Sequence, residues 1–272
     1  MKSLGSITTR AALRKENVGI IPSSFVFTLA ASLFFVPGMI TDGFSLTNNA
    51  WAWALACSAV FLWFAINLIG FSSYKHTEVT LREPLGNTRV LITFLLGVFL
   101  LSEAFTLGRA GGVLLVFLGA TALTWRGGKA FGKLSDKGVQ LTLLTALLYS
   151  FVAVVDKKAM AFFPVNFYGF LLFFAPGVMM LPLVMKRKES VSSLKGSKRL
   201  ILLSSFFVMS SYFFELSAYK LADLGLVFTI TRMSTFLSVA LGAVLLGEKG
   251  ELKQRVFGSA AMVSGALLIA LS

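Results

Sequence analysis

One cysteine and one histidine in 272 residues narrow the available chemistry before any motif is sought. Cys57 alone excludes an intrachain disulfide. His76 alone excludes the common His-rich metal sites, and Ser–His catalysis would depend on that one ring in a short loop. Acidic residues are scarce too, 12 against 25 Lys and Arg. They are scattered: Asp136 and Asp156 have no acidic partner within several positions, so no paired acidic motif exists to hold a metal-bound diphosphate. His-Glu-x-x-His, Gly-x-Ser-x-Gly and a phosphate loop are all missing. The chain therefore reads as a non-enzyme that takes no cofactor and no metal.

What fills the chain instead is apolar. Hydrophobic residues make up 56% and charged residues only 14%, and the mean hydropathy of +0.82 lies outside the soluble range. A 29.4 kDa globule has too little interior for so many Phe and Leu. The bilayer is then the solvent, and backbone groups must be satisfied within helices or in a closed barrel. Barrel strands alternate over about ten residues, whereas runs 91–101 and 263–271 do not. Helices win, and the fold class is all-α. The net charge of +13 fits cytoplasmic loops better than nucleic acid, because no basic stretch is interleaved with aromatics outside the hydrophobic segments.

Nine spans are expected, at about 19–40, 51–72, 79–101, 108–125, 139–156, 163–185, 200–218, 224–246 and 256–271. Linkers are short, and no soluble domain interrupts them. The basic lead (Lys2, Arg10, Arg14, Lys15) before the first span resembles a signal peptide, but its length and the eight segments that follow favour an uncleaved span. Alternate loops carry 18 Lys and Arg on one side and three (Lys157, Lys158, Lys220) on the other. The positive-inside rule then places the N-terminus in the cytoplasm and the C-terminus outside the cell (inner) membrane. Trp51, Trp53 and Trp125 suit interfacial anchors.

The chain also repeats itself. Residues 72–103 align without gaps on 217–248, with nine identities in 32 pairs, where about three are expected by chance. The same offset aligns Phe25, Ala30 and Pro37 with Phe170, Ala175 and Pro182. With one residue added it aligns Arg109, Gly112, Gly119 and Ala120 with Arg255, Gly258, Gly265 and Ala266. Five spans separate Glu103 from Glu248, and an odd number inverts the second copy relative to the first. The division is a first half at 1–125 with four spans, a cytoplasmic linker at 126–138, and a second half at 139–272 with five. The span at 139–156 has no counterpart in the first half. Either that half has lost its leading helix or the start lies inside a longer gene; the sequence leaves both open.

Charges deep in a span are the best site candidates, since an ionisable group at mid-bilayer costs about 2.5–3.5 kcal/mol or more. Arg89 and Arg232 occupy repeat-equivalent spans and are placed to clamp a carboxylate or phosphate. The alternative is that they neutralise Glu83, Asp156 or Glu215. Tyr212 and Glu215 form a polar patch on a Phe-rich helix, Thr235 lies on a polar stripe beyond Arg232, and Tyr149, Asn166 and Tyr168 are less strongly indicated as lining the same space. Pro84 and Pro176 are placed to open their helices locally. Glycines read as packing positions: Gly112 with Gly119, and Gly258 with Gly265, are two turns apart and share a face. Glu103 and Glu248 sit at helix ends, where a cap or a hydrogen bond to the next helix is the simpler role and ion coupling the sharper one.

Each copy closes a span in Leu-Leu-x-Glu (Leu100, Leu101, Glu103; Leu245, Leu246, Glu248), preceded by Gly97 or Gly242 and followed by a Gly-rich terminal helix. Over about residues 19–271 this pattern resembles the EamA module of the drug/metabolite transporter superfamily. The resemblance implies ten helices in two inverted five-helix repeats, and export of substrate. Nine spans, and the 186–199 loop on the inside, depart from that pattern. The expected function is a permease for small polar or amphiphilic metabolites working by alternating access. Lipid-linked or sugar-phosphate head groups are the alternative cargo; a scaffold, a sensor and a polytopic enzyme rank below. The expected partners are the bilayer and a small-molecule substrate, and a homodimer is compatible with the sequence.

Overall fold

The computed structural model describes residues 4–5, 8–9, 19–42, 47–76, 79–124, 136–186, 194, 196–231 and 252–271. They form α1 (Ile20–Asp42), α2 (Ala50–His76), α3 (Val79–Leu101), α4 (Leu107–Thr124), α5 (Lys137–Ala159), α6 (Val165–Lys186) and α7 (Lys198–Tyr219). A helix follows at 224–231, α8, and then α9 (Leu252–Leu271). No strand occurs among the described residues. The protein is a polytopic helical membrane protein, and each expected span has its helix. The part of the eighth span beyond 231 lies outside the described residues.

Among the described residues, five helices are long and apolar enough to cross a membrane: α1, α2 through Ser73, α5, α6 and α7. Burial is inverted relative to a water-soluble protein. Leu33, Phe61, Phe99, Phe214 and Phe257 are exposed, while Ser24, Thr28, Ser32, Asp156 and Thr229 are buried. In a bilayer the apolar outside meets lipid without loss, and the polar inside finds partners on helices. Thr28 and Thr229, for example, each donate to the carbonyl four residues back. Helix α6 runs unbroken through Pro176 and Pro182.

The chain divides into two compact units. The first takes residues 1–75 and 155–221, the second 76–154 and 222–272, so each unit draws helices from both copies of the repeat.

In the first unit α1 packs on α6 and α7. Ser24 donates to the Met180 sulfur at 3.7 Å, and eleven residues later on α1 the Phe35 ring covers Gly169, eleven residues earlier on α6. One helix advances as the other recedes, so they run antiparallel. The repeat offset turns one contact into the other, since Ser24 is the counterpart of Gly169 and Phe35 of Met180. Asp42 at the end of α1 accepts from the Asn166 amide at 2.7 Å. Near the start of α7, Ser204 hydrogen-bonds to Thr9 and to the Gly5 carbonyl. Four spans separate Asp42 from Asn166 and six separate Thr9 from Ser204, so both bonds join chain ends that the expected span order places on one side.

In the second unit α4 packs on α9 and α3 packs on α4. A Cβ at Gly112 would lie 2.6 Å from the Gly265 carbonyl oxygen, and one at Gly119 would lie 2.6 Å from that of Gly258. Again one index rises by seven as the other falls by seven. These repeat-equivalent helices are antiparallel and touch backbone to backbone. Small residues at these positions let the two backbones approach. Val90, Phe94, Val113, Val116, Ala120, Met262 and Ile269 fill the core around the crossing.

Candidate functional site

In the first unit the focus is Asp156, fully buried three residues before the end of α5. A carboxylate at a helix C-terminus opposes the helix dipole, so donors from elsewhere must offset it. Two do: Tyr168 hydroxyl donates to Oδ1 at 2.9 Å and Tyr212 hydroxyl to Oδ2 at 2.6 Å. With one hydroxyl on each oxygen, the carboxylate plane is fixed. The phenols are fixed in turn by aromatic neighbours. Trp63 lies edge-on to Tyr212 at 5.1 Å between centroids, Phe173 lies edge-on at 5.6 Å, and Phe163 stacks on Tyr168 at 5.7 Å. One turn beyond Tyr212 on α7, Glu215 is buried and accepts from the Tyr219 hydroxyl at 2.8 Å. Asp156, Tyr212 and Tyr168 are thus brought together, and Glu215 is held by a tyrosine of its own helix.

In the second unit the focus is Arg89, the eleventh of 23 residues in α3 and 8% exposed. Its guanidinium carbon lies over two rings, 4.3 Å from the centroid of Phe228 on α8 and 4.5 Å from that of Tyr149 on α5. Tyr149 is itself the thirteenth of 23 residues in α5, so cation and ring meet near the middle of their helices. Ser150 Oγ bonds the Arg89 carbonyl at 3.4 Å and the Ala146 carbonyl at 2.9 Å, tying α5 to α3 at that level. Desolvated cation–π contacts are worth about 0.5–2 kcal/mol each, on the scale of the insertion penalty for a mid-span arginine. The arrangement presents positive charge at a level where lipid tolerates little of it.

Arg89 and Tyr149 therefore share a cluster. Arg232, Thr235, Gly242, Glu248 and the Glu83 side chain lie outside the described residues. Gly97 and Glu103 are explained together. Ser102 takes a left-handed backbone, φ 56°, and the Glu103 N–H returns to the Gly97 carbonyl at 3.2 Å, a turn that ends the helix through a left-handed residue. The Glu103 side chain then folds over Gly97, where a Cβ would stand 2.6 Å from Oε2. Its Oε1 accepts the Leu224 N–H at 2.8 Å. Glu103 does cap a helix, α8, through the Leu224 amide. Close approach in the fold, rather than along the chain, chose the partner.

Phe228, Trp63, Tyr219 and Asp223 were not anticipated. Phe228 and Trp63 sit in apolar runs with nothing to distinguish them. Asp223 did carry a signal, a short acidic residue just before an apolar helix, which is N-cap chemistry.

The model of the EamA-like transporter family matches residues 136–271. No curated protein matches the chain. Among solved structures, one described only as "Crystal structure of protein" superposes with a TM-score of 0.70 at 15% identity. It covers 99% of this chain and 96% of its own, a likeness of fold.

Proposed function

We propose, for a chain that belongs to the EamA-like transporter family, that it is a permease for small polar or amphiphilic metabolites bearing an anionic group, working by alternating access. Membrane transport is the family's business; substrate and mechanism are our reading. The observation that carries it is Arg89, near the middle of α3 with its guanidinium between Tyr149 and Phe228. A mid-span cation is expensive to insert and is usually kept for function. Arginine offers a carboxylate or phosphate a planar, two-pronged set of donors. Rings over its faces fix its orientation while providing apolar walls for the rest of an amphiphile. Asp156, its oxygens fixed by Tyr168 and Tyr212, is the corresponding polar point of the first unit. The membrane is the cell (inner) membrane with the N-terminus inside, on the strength of the loop charges, and export follows the family.

Flux into proteoliposomes across a panel of carboxylates, phosphates, amines and neutral metabolites, with and without a pH gradient, tests this reading. Arg89→Gln should lower flux of the anionic members about ten- to hundredfold, the range for losing hydrogen bonds to a charged group, with the melting temperature little changed. Undiminished anion flux through Arg89→Gln would sink the proposal. Sugar phosphates or lipid-linked head groups moving in preference to free metabolites would select the alternative cargo.

A further inference from the structure

At one end of the second unit, three helix ends are tied together by polar contacts outside the Arg89 cluster. The C-terminal turn of α3 sends the Glu103 carboxylate to the Leu224 amide at the start of α8. Thr106 caps α4 by accepting the Arg109 N–H at 3.1 Å. Arg109 Nη1 then reaches the Asp223 carboxylate at 2.8 Å, in a pair that is 25% and 41% exposed. Asp223 begins α8, its carbonyl accepting the Val227 N–H at 3.0 Å. Beneath these charges lies a cavity of about 100 Å³ floored by Phe94, Val113, Leu226 and Ile269. Gly225 sits against the Phe94 ring, where a Cβ would be 3.2 Å away.

The first turn of α8 is therefore gripped on its Leu224 amide, through the Asp223 carboxylate just before it, and on its glycine. One turn further along the same helix, Phe228 supplies a ring to Arg89. Four residues of helix rise only about 6 Å, so a displacement of the first turn is transmitted to Phe228. A partly exposed ion pair adds little stability of its own and can be broken cheaply, and a small cavity leaves room for α8 to shift.

We propose that Glu103, Arg109 and Asp223 form a latch that positions Phe228 over Arg89, and that releasing the latch exposes the Arg89 guanidinium. Closing this end of the unit and assembling the Arg89 cluster are then one event. The three are positioning residues: they act through α8, not on substrate. The repeat reproduces their types, with Glu248, Arg255 and Glu78 standing 145 or 146 positions from Glu103, Arg109 and Asp223; the placement of these three side chains lies outside the described residues.

The proposal rests on the reading that Arg89 meets substrate, but its test uses none. The full chain, reconstituted in nanodiscs, is treated with phenylglyoxal, and modification of Arg89 is followed by peptide mass spectrometry. Amide exchange over 224–228 is read on the same samples. Glu103→Ala and Asp223→Ala should speed both about tenfold, the order expected when a helix cap is lost. Glu103→Gln keeps an acceptor for the Leu224 amide and should stay within about twofold of the parent. The swap of Arg109→Asp with Asp223→Arg should restore protection that either single change removes. If the alanine variants do not fold, Arg109→Gln gives the same readout with the Glu103 cap intact. Faster exchange at 224–228 with unchanged Arg89 modification overturns the latch. So does unchanged exchange in the alanine variants. Failure of the transport reading looks different, because Arg89→Gln would then leave flux intact while Arg89 still responds to the latch.

Discussion

The two compact units bury opposite charges by different physical means. The first encloses the Asp156 carboxylate under two tyrosine hydroxyls, one to each oxygen. The second lays the Arg89 guanidinium across two ring faces. Hydroxyl donors are directional, and removing their acceptor strands two buried polar groups. Ring faces are tolerant of angle. The helix crossings differ in the opposite sense. In the second unit repeat-equivalent helices meet backbone to backbone at glycine; in the first, Phe35 and the flexible Asn166 side chain fill the interface between them. Directional or rigid contacts fix a structure, whereas tolerant ones can be remade during a cycle.

The most damaging change should be Asp156→Ala. It orphans the Tyr168 and Tyr212 hydroxyls at about 1–3 kcal/mol each, read as lost thermal or denaturant stability in detergent. A melting temperature close to that of the parent would mean that the hydroxyls do not depend on Asp156.

Next comes the glycine crossing. Gly112→Ala drives a methyl into the Gly265 carbonyl and should cost about 1–3 kcal/mol or more, because backbone cannot step aside. Gly38→Ala meets the Asn166 side chain, which can move aside only by giving up its bond to Asp42, and should cost less, about 0.5–1.5 kcal/mol. Equal losses at the two positions would erase the distinction between crossings.

Arg89→Gln should be milder in stability, about 0.5–2 kcal/mol from the lost cation–π contacts, yet severe for anion flux. A variant that unfolds as readily as Asp156→Ala would make Arg89 structural and put the two units on the same footing.

The smallest effect is expected at Ser102. Ser102→Gly relieves a left-handed backbone, offset in part by the freedom glycine gains when unfolded, for a net gain of no more than about 1 kcal/mol. A loss of stability would show that the Ser102 side chain matters more than its φ. The other copy already has Gly247 at the equivalent position.

Much of this molecule was legible in advance because lipid simplifies the code. Hydrophobic length gave the helices to within a few residues, since a bilayer satisfies no stray backbone groups. The repeat, with its odd number of intervening spans, anticipated the antiparallel crossing of α4 on α9. Glycine spacing anticipated the face on which they touch. Site residues were legible where they were charged and deep, as with Arg89 and Asp156, and where a tyrosine interrupted an apolar run, as with Tyr149 and Tyr212. Phe228 and Trp63 were not, because an aromatic in a membrane helix has the same composition signal whether it faces lipid or a buried ion.

By itself, then, the sequence determined the solvent, the helices, the duplication and the identity of the charged residues, all of which follow from composition and period along the chain. Only the tertiary structure decided which groups those charges meet. Asp156 goes to tyrosines on α6 and α7, Arg89 to rings on α5 and α8, and Glu103 to the start of α8. The reason is range. Helix formation depends on residues within a few positions of one another, whereas a buried charge is stabilised by whatever donor or ring the packing brings within a few ångströms, from 12 residues away at Tyr168 to 139 at Phe228.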